Sequence, residues 1–162
     1  MGPMGPRADR DGGTLVDVLL VEDDEGDILM TREAFEFHKI RNPLHVVTDG
    51  EQALHFMRRT GPYADAPRPG LILLDVNLPR LSGLEVLAEL KQDPELAVLP
   101  VVMLTTSQAE EDILRSYKLH ANAYVTKPVD FDNFIAAIRQ IDDFFLTLVQ
   151  LPSLLVEPRS VR

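Results

Sequence analysis

The sequence contains no cysteine. That removes disulfides, iron–sulfur clusters, thiolate zinc sites and cysteine nucleophiles together, and it fits a protein of the reducing cytoplasm. Histidine is almost as scarce. His38, His45, His55 and His120 stand too far apart for a metal motif of the H-E-x-x-H kind, so each reads as a solvated or helix-surface residue. Positive charge is short as well: 16 Lys and Arg face 26 Asp and Glu, a formal net charge of −10, and the lysines are scattered. With no basic patch to displace counterions from phosphates, neither nucleic acid nor an anionic membrane is an expected partner.

Long apolar runs are missing too. Nothing near the N-terminus has the apolar core of a secretory signal, and no run reaches the roughly eighteen residues that span a bilayer. The expectation is a cytoplasmic protein. Residues 1–14, rich in Gly and Pro and charged from Arg7 to Asp11, show no apolar pattern and are expected to be a disordered tail. Residues 150–162, with Pro152 and Pro158, make a C-terminal tail. Residues 15–149 remain as one domain, since a chain of 162 residues with 45% hydrophobic content supports one good core and not two.

Within that domain, short apolar runs alternate with segments of helical period, the pattern of a parallel α/β sheet. Strands are expected at about 16–21, 44–47, 71–74, 101–104 and 123–126, and helices near 26–39, 51–59, 83–92, 108–119 and 131–149. Several strands are near-continuous Val, Ile and Leu, as strands covered on both faces must be. Five strands and five helices in strict alternation imply a flavodoxin-like doubly wound sheet of order 2-1-3-4-5, whose working edge lies at the carboxyl ends of the strands. The segment from Gly61 to Gly70 is Pro-rich and longer than the commonest connections.

Polar residues follow the strands in a consistent way. The first ends in Glu22, Asp23 and Asp24, the third in Asp75, the fourth in Thr105 and Thr106, and the fifth in Lys127 and Pro128. At a shared crevice these give several carboxylates, hydroxyls and one ammonium. Crowded carboxylates repel and are costly to ionise unless a cation sits among them. Mg²⁺ suits such a site, because it takes hard oxygen ligands and few carboxylates. A carboxylate faced by Lys and a hydroxyl has what phosphoryl acceptance requires, an oxygen nucleophile and donors for the equatorial oxygens. Each feature alone has an ordinary reading as well: the EDDEGD run as a helix start, Asp75 as a loop cap, the Thr-Thr-Ser run as a helix cap, Lys127 as a surface charge. Their joint occurrence at successive strand ends favours the functional one.

The motifs VLLVEDD, LILLDVNLPRLSG, PVVMLTTS and AYVTKP resemble those of the receiver domains of two-component response regulators, over about Val16 to Leu146. Within that family the chain looks most like the single-domain regulators of bacterial and cyanobacterial phytochrome histidine kinases, through its YADAPRP loop, its SYKLHANAYVTK run and its LPS tail. The resemblance implies that Asp75 is the phosphoacceptor. It further implies Mg²⁺ held by Asp23, Asp75, the Asn77 backbone carbonyl and, through water, Glu22. Thr105 becomes the switch hydroxyl, Lys127 the phosphate-binding ammonium, Tyr124 the aromatic that follows the switch, and Lys127–Pro128 a cis peptide. Asp24 falls one place beyond the usual acidic pair and reads as a helix-start residue. Thr106 departs from the small residue common in the family and narrows access to the phosphoryl group.

On this reading the protein takes a phosphoryl group from a histidine kinase, assists its own phosphorylation and dephosphorylation, and turns over no separate substrate. An aspartyl phosphatase would also use Asp and Mg²⁺, but usually carries a second Asp two residues after the first, where this chain has Asn77. A nucleotide- or flavin-binding module would show a Gly-rich phosphate loop after the first strand, and none follows it. Finally, Phe131, Phe134, Ile138, Ile141, Phe145 and Leu148 form one stripe along the last helix, longer than a single sheet can cover. That excess, with the family's habit of pairing through the fourth helix, fifth strand and fifth helix, implies a homodimer with Phe144, Phe145 and Leu148 as contacts.

Overall fold

The computed structural model describes residues 16–119, 121–129 and 131–141. Both tails, His120, Asp130 and residues 142–149, with the expected contacts Phe144, Phe145 and Leu148, lie outside the described residues. Five parallel strands, β1 (Val18–Val21), β2 (Leu44–Val47), β3 (Leu71–Asp75), β4 (Val101–Thr105) and β5 (Ala123–Thr126), form one sheet of order β2-β1-β3-β4-β5. This is the expected doubly wound arrangement. Five helices alternate with them: α1 (Glu25–Phe37), α2 (Gly50–Arg58), α3 (Gly83–Gln92), α4 (Gln108–Arg115) and α5 (Phe131–Ile141).

Strand periodicity divides the core in two. Val18, Leu20, Leu71, Leu73, Val102, Leu104, Ala123 and Val125 face one way and pack with Phe35 of α1 and Phe134, Ile135 and Ala137 of α5. The rings of Phe35 and Phe134 meet at 5.3 Å. The alternate residues, among them Leu19, Val21, Ile72, Leu74, Met103 and Tyr124, face α2, α3 and α4. Every residue of the central strands β1, β3 and β4 is buried, which is why they read as unbroken apolar runs. At the sheet edge β2 is only partly covered. There His45, on the strand expected at 44–47, is not simply solvated: it pairs its Nε2 with Asp17 Oδ1 at 2.9 Å.

Helix starts follow local capping chemistry. The side chains of Asp24, Asp49, Ser82 and Ser107 each accept an N–H from the first turn of α1, α2, α3 and α4. α4 is shorter than its apolar pattern suggests: Ser116 terminates it, with both its N–H and its hydroxyl donating to the Ile113 carbonyl. The Pro-rich connection begins as one 3₁₀ turn, Gly61–Tyr63, and Tyr63 lies 5.5 Å ring to ring from Phe56 of α2.

Two glycines set the loop after β3. A Cβ on Gly83 would strike the backbone of Asp75 and Val76, and one on Gly50 would strike the carbonyl of Leu81. Close packing at these points brings the start of α3 against the end of β3, and the start of α2 against the loop that leads into α3. Among the described residues no helix is long and apolar enough to cross a membrane.

Candidate functional site

Parallel strands deliver their carboxyl ends to one edge, and the polar strand-end residues meet there. Asp75 closes β3 and is 1% exposed. Its Oδ1 accepts the Asn77 N–H at 3.2 Å, and its Oδ2 accepts from Lys127 Nζ at 3.2 Å. Glu22, just beyond β1, is equally buried; Oε2 accepts the Asp24 N–H at 3.1 Å and Oε1 accepts from Lys127 Nζ at 3.2 Å. Asp23 is exposed beside them, and Glu22, Asp23 and Asp75 each bring a carboxylate oxygen within 4.8 Å of the others. Lys127 follows β5 at a cis Lys127–Pro128 bond. These four residues are among those the strand-end pattern singled out.

A fifth, Asp27, was not singled out. Its Oδ2 lies 2.9 Å from Lys127 Nζ, the shortest of the three ion pairs that the ammonium makes. The signal was the EDDEGD run: with Asp24 as N-cap, Asp27 falls in the first turn of α1.

Burial decides the charge states here. Desolvation, aided by the nearby Asp75 carboxylate, pushes Glu22 from its ordinary 4.5 up to about 7 against the pull of the Asp24 N–H and Lys127. Asp75 is likewise raised by desolvation, although Glu22, Lys127 and the Asn77 N–H work to lower it. Burial works against the Lys127 charge, but Asp27, Asp75 and Glu22 outweigh it and hold the ammonium protonated well above its ordinary range.

A pH dependence follows. A carboxyl that is harder to ionise in the folded state binds more protons there than in the unfolded chain, so stability falls as pH rises from about 4.5 to about 7. Lys127 contributes no slope in that window, because its linkage begins only above 10.5. Urea melts in chelator are expected to lose stability across this range, on the order of 3 kcal/mol through Glu22, with Asp75 adding loss of the same sign. Added Mg²⁺ should restore more stability at the upper end than at the lower. A flat profile, or one unchanged in Glu22→Gln, would contradict the assignment.

The hydroxyl side is arranged differently. Thr105 is fully buried at the end of β4, and Asp75 pairs in register with its neighbour Leu104. The Thr105 hydroxyl is directed at the Val125 carbonyl, at 3.4 Å, and is not hydrogen-bonded to the acidic cluster. Tyr124 pairs in register with Met103 and so lies on the same face of the sheet as Thr105; its ring is buried, with the Arg115 guanidinium carbon 4.3 Å from the ring centroid and its hydroxyl accepting the Ala121 N–H at 3.4 Å. Thr106 and Asn77 both bond to Glu110 of α4. An all-oxygen donor set with a surplus of carboxylates over ammonium fits a hard divalent cation.

Comparison with known proteins agrees with this geometry. The response regulator receiver domain family matches residues 18–139. Response regulator Rcp1 of Synechocystis sp. is 43% identical over 136 residues, 84% of this chain and 92% of Rcp1. The crystal structure of its Mn²⁺-bound form superposes with a TM-score of 0.64 at 40% identity, covering 88% of this chain and 95% of that one. The bacteriophytochrome response regulator RtBRR gives a TM-score of 0.75 at 46% identity, over 79% of this chain and 78% of its own. The phosphorylated cyanobacterial phytochrome response regulator RcpA gives 0.68 at 42% identity, over 86% and 99%. With the family matched across nearly the whole described domain, a sheet of the same order and an acidic cluster at its carboxyl edge, this chain belongs to the response regulator receiver domain family.

Proposed function

We propose that the protein is a single-domain response regulator that accepts a phosphoryl group on Asp75 from a histidine kinase of the phytochrome type. The observation that carries this reading is the buried Asp75 carboxylate 3.2 Å from the Lys127 ammonium, inside a cluster of further acids. A carboxylate oxygen of Asp75 forms a bond to phosphorus while the phosphorus–nitrogen bond of the donor phosphohistidine breaks, its electron pair leaving with the imidazole. Lys127 opposes the charge of the transferred oxygens. Asp23, Asp75, the Asn77 backbone carbonyl and, through water, Glu22 would hold Mg²⁺. When bound, the ion neutralises charge on the phosphoryl oxygens. Water later cleaves the acyl phosphate, returning the carboxylate and inorganic phosphate, so the protein assists its own phosphorylation and dephosphorylation without a separate substrate. The similarity to regulators named for bacterial and cyanobacterial phytochromes supports the choice of kinase.

Thr105 and Tyr124 form the switch in this reading. Phosphoryl oxygens compete with the Val125 carbonyl for the Thr105 hydroxyl, and Tyr124, buried against Leu114 of α4 and its neighbours, follows the rearrangement. Incubation with acetyl phosphate and Mg²⁺ tests the core of the proposal: intact mass should rise by about 80 Da, one phosphoryl group. An unmodified protein, or equal labelling in chelator, would refute it.

The output surface comprises α4, β5 and α5, and a homodimer forms through it. Ile113 of α4 and Tyr117 just after it are exposed at 58% and 47%, in keeping with an apolar contact on this side. Phe144, Phe145 and Leu148, beyond the described residues, are the further contacts. Light scattering at micromolar concentration should give twice the chain mass, reduced to one by Phe145→Asp with Leu148→Asp. A monomer with and without a phosphoryl mimic would dispose of the dimer.

A further inference from the structure

At the rim of the acidic pocket a single carboxylate joins three separate segments. Glu110 Oε1 accepts the Thr106 N–H at 2.7 Å and the Thr106 hydroxyl at 3.1 Å, and Oε2 accepts from Asn77 Nδ2 at 3.2 Å. Thr106 follows the buried Thr105, and Asn77 is bonded through its own N–H to Asp75 Oδ1. The bridge therefore links the loop after β3 to the turn after β4, one bonded residue away from Asp75.

Helix-start chemistry accounts for only part of it: at α2 the Gln52 side chain likewise accepts the Thr48 N–H at 3.0 Å and the Thr48 hydroxyl at 3.4 Å, one residue outside the Asp49 cap. α3 closes a capping box instead: Ser82 receives the Glu85 N–H while the Glu85 side chain returns to the Ser82 N–H. α4 has the same spacing, Ser107 and Glu110, and Ser107 receives the Glu110 N–H at 3.1 Å. The Glu110 side chain follows the α2 pattern in taking the Thr106 N–H, but its second oxygen also crosses to Asn77, in a loop 33 positions away. The helix gains nothing from that second reach.

The site itself has a use for those donors. A phosphoryl group on Asp75 adds three oxygens that need hydrogen-bond donors or positive charge. Lys127 is already shared among Glu22, Asp27 and Asp75. The uncharged donors at the rim, the Thr106 N–H, the Thr106 hydroxyl and the Asn77 amide, are all held by Glu110. We propose that Glu110 is a positioning residue that clasps the mouth of the pocket, its carboxylate occupying the Thr106 and Asn77 donors until an incoming phosphoryl group displaces it. The proposal rests on Asp75 as the acceptor. It also gives the Thr106 hydroxyl a role: the position narrows access through the bond it makes as well as through its bulk. Displacement is assisted by like-charge repulsion between the carboxylate and the phosphoryl oxygens, and it frees the first turn of α4 from the β3 loop.

The test compares labelling by acetyl phosphate, in which an Asp75 oxygen bonds to phosphorus as the phosphorus–oxygen bond to the acetyl group breaks and acetate leaves. Glu110→Ala should raise the initial rate roughly tenfold, the scale of removing competing charge-assisted hydrogen bonds. Glu110→Gln, which keeps one carbonyl oxygen for Thr106, should fall between Glu110→Ala and wild type. Asp112→Asn, the same charge change two residues on, where the side chain accepts only from Gln108 at 3.1 Å, should leave the rate alone. Amide spectra supply an independent readout. The Thr106 N–H and the Asn77 side-chain resonances should move in Glu110→Ala, and should move in wild type on adding beryllofluoride as a phosphoryl mimic. Equal rates for wild type and Glu110→Ala, an equal acceleration by Asp112→Asn, or a Thr106 amide indifferent to Glu110→Ala would each overturn the clasp while leaving Asp75 as acceptor. Failure of wild type to label at Asp75 would overturn both readings together.

Discussion

Asp75→Asn is expected to abolish phosphorylation completely and to leave the protein at least as stable as wild type. The amide has nearly the shape of the carboxylate, so Oδ1 can still accept the Asn77 N–H and the packing beneath β3 is undisturbed. What disappears is the nucleophile. What also disappears is a negative charge held out of water beside Glu22, where desolvation makes ionisation costly. Removing it relieves Glu22 as well, so the stability lost with rising pH should shrink. Intact mass after acetyl phosphate treatment should show no adduct, and urea melts near neutral pH should show an unchanged or higher midpoint. An adduct on the variant would move the acceptor elsewhere. A large fall in stability would mean that the Asp75 charge supports the fold, contrary to the burial argument.

Lys127→Ala is the second large effect, and it reaches both chemistry and stability. The ammonium is 13% exposed and makes ion pairs with Glu22, Asp27 and Asp75 at 3.2, 2.9 and 3.2 Å. Its loss withdraws the protein's positive charge from the point where phosphoryl oxygens arrive, a change of the kind that costs on the order of a hundred- to a thousandfold in rate. Buried carboxylates also lose their partner, for which a few kcal/mol is the usual scale. Part of that cost is avoidable, because Glu22 and Asp75 can take up protons. The destabilisation should therefore be larger near pH 8 than near pH 5, and urea melts at the two values distinguish this from simple loss of packing, which would be the same at both. A labelling rate within about twofold of wild type would remove Lys127 from the phosphoryl site.

Much of the fold was legible because it rests on local rules. Leu71 to Leu74 and Val101 to Leu104 are continuous apolar runs because both faces of those strands are covered. Asp24, Asp49, Ser82 and Ser107 mark helix starts through bonds that span three residues. Once a parallel sheet is inferred, the strand-end positions of Glu22, Asp75, Thr105 and Lys127 place them on a common edge by topology alone. Boundaries were less legible. The apolar pattern past Arg115 gave no sign that Ser116 would stop α4 by turning its donors onto the Ile113 carbonyl.

What the sequence by itself determined was the order of the elements, the identity of the strand-end residues and the edge on which chemistry would be found, since these follow from periodicity, capping and the direction of parallel strands. Only the tertiary structure decided how those residues share charge and donors. The pairing of Lys127 with Asp27 as well as Glu22 and Asp75, the direction of the Thr105 hydroxyl toward Val125, the engagement of His45 by Asp17, and the reach of Glu110 to Asn77 join residues far apart in the chain. A side chain's hydrogen-bond partner is chosen among all donors and acceptors that packing brings within about 3 Å. Residue spacing can count those within one helical turn, but it cannot rank them against groups that arrive from another loop.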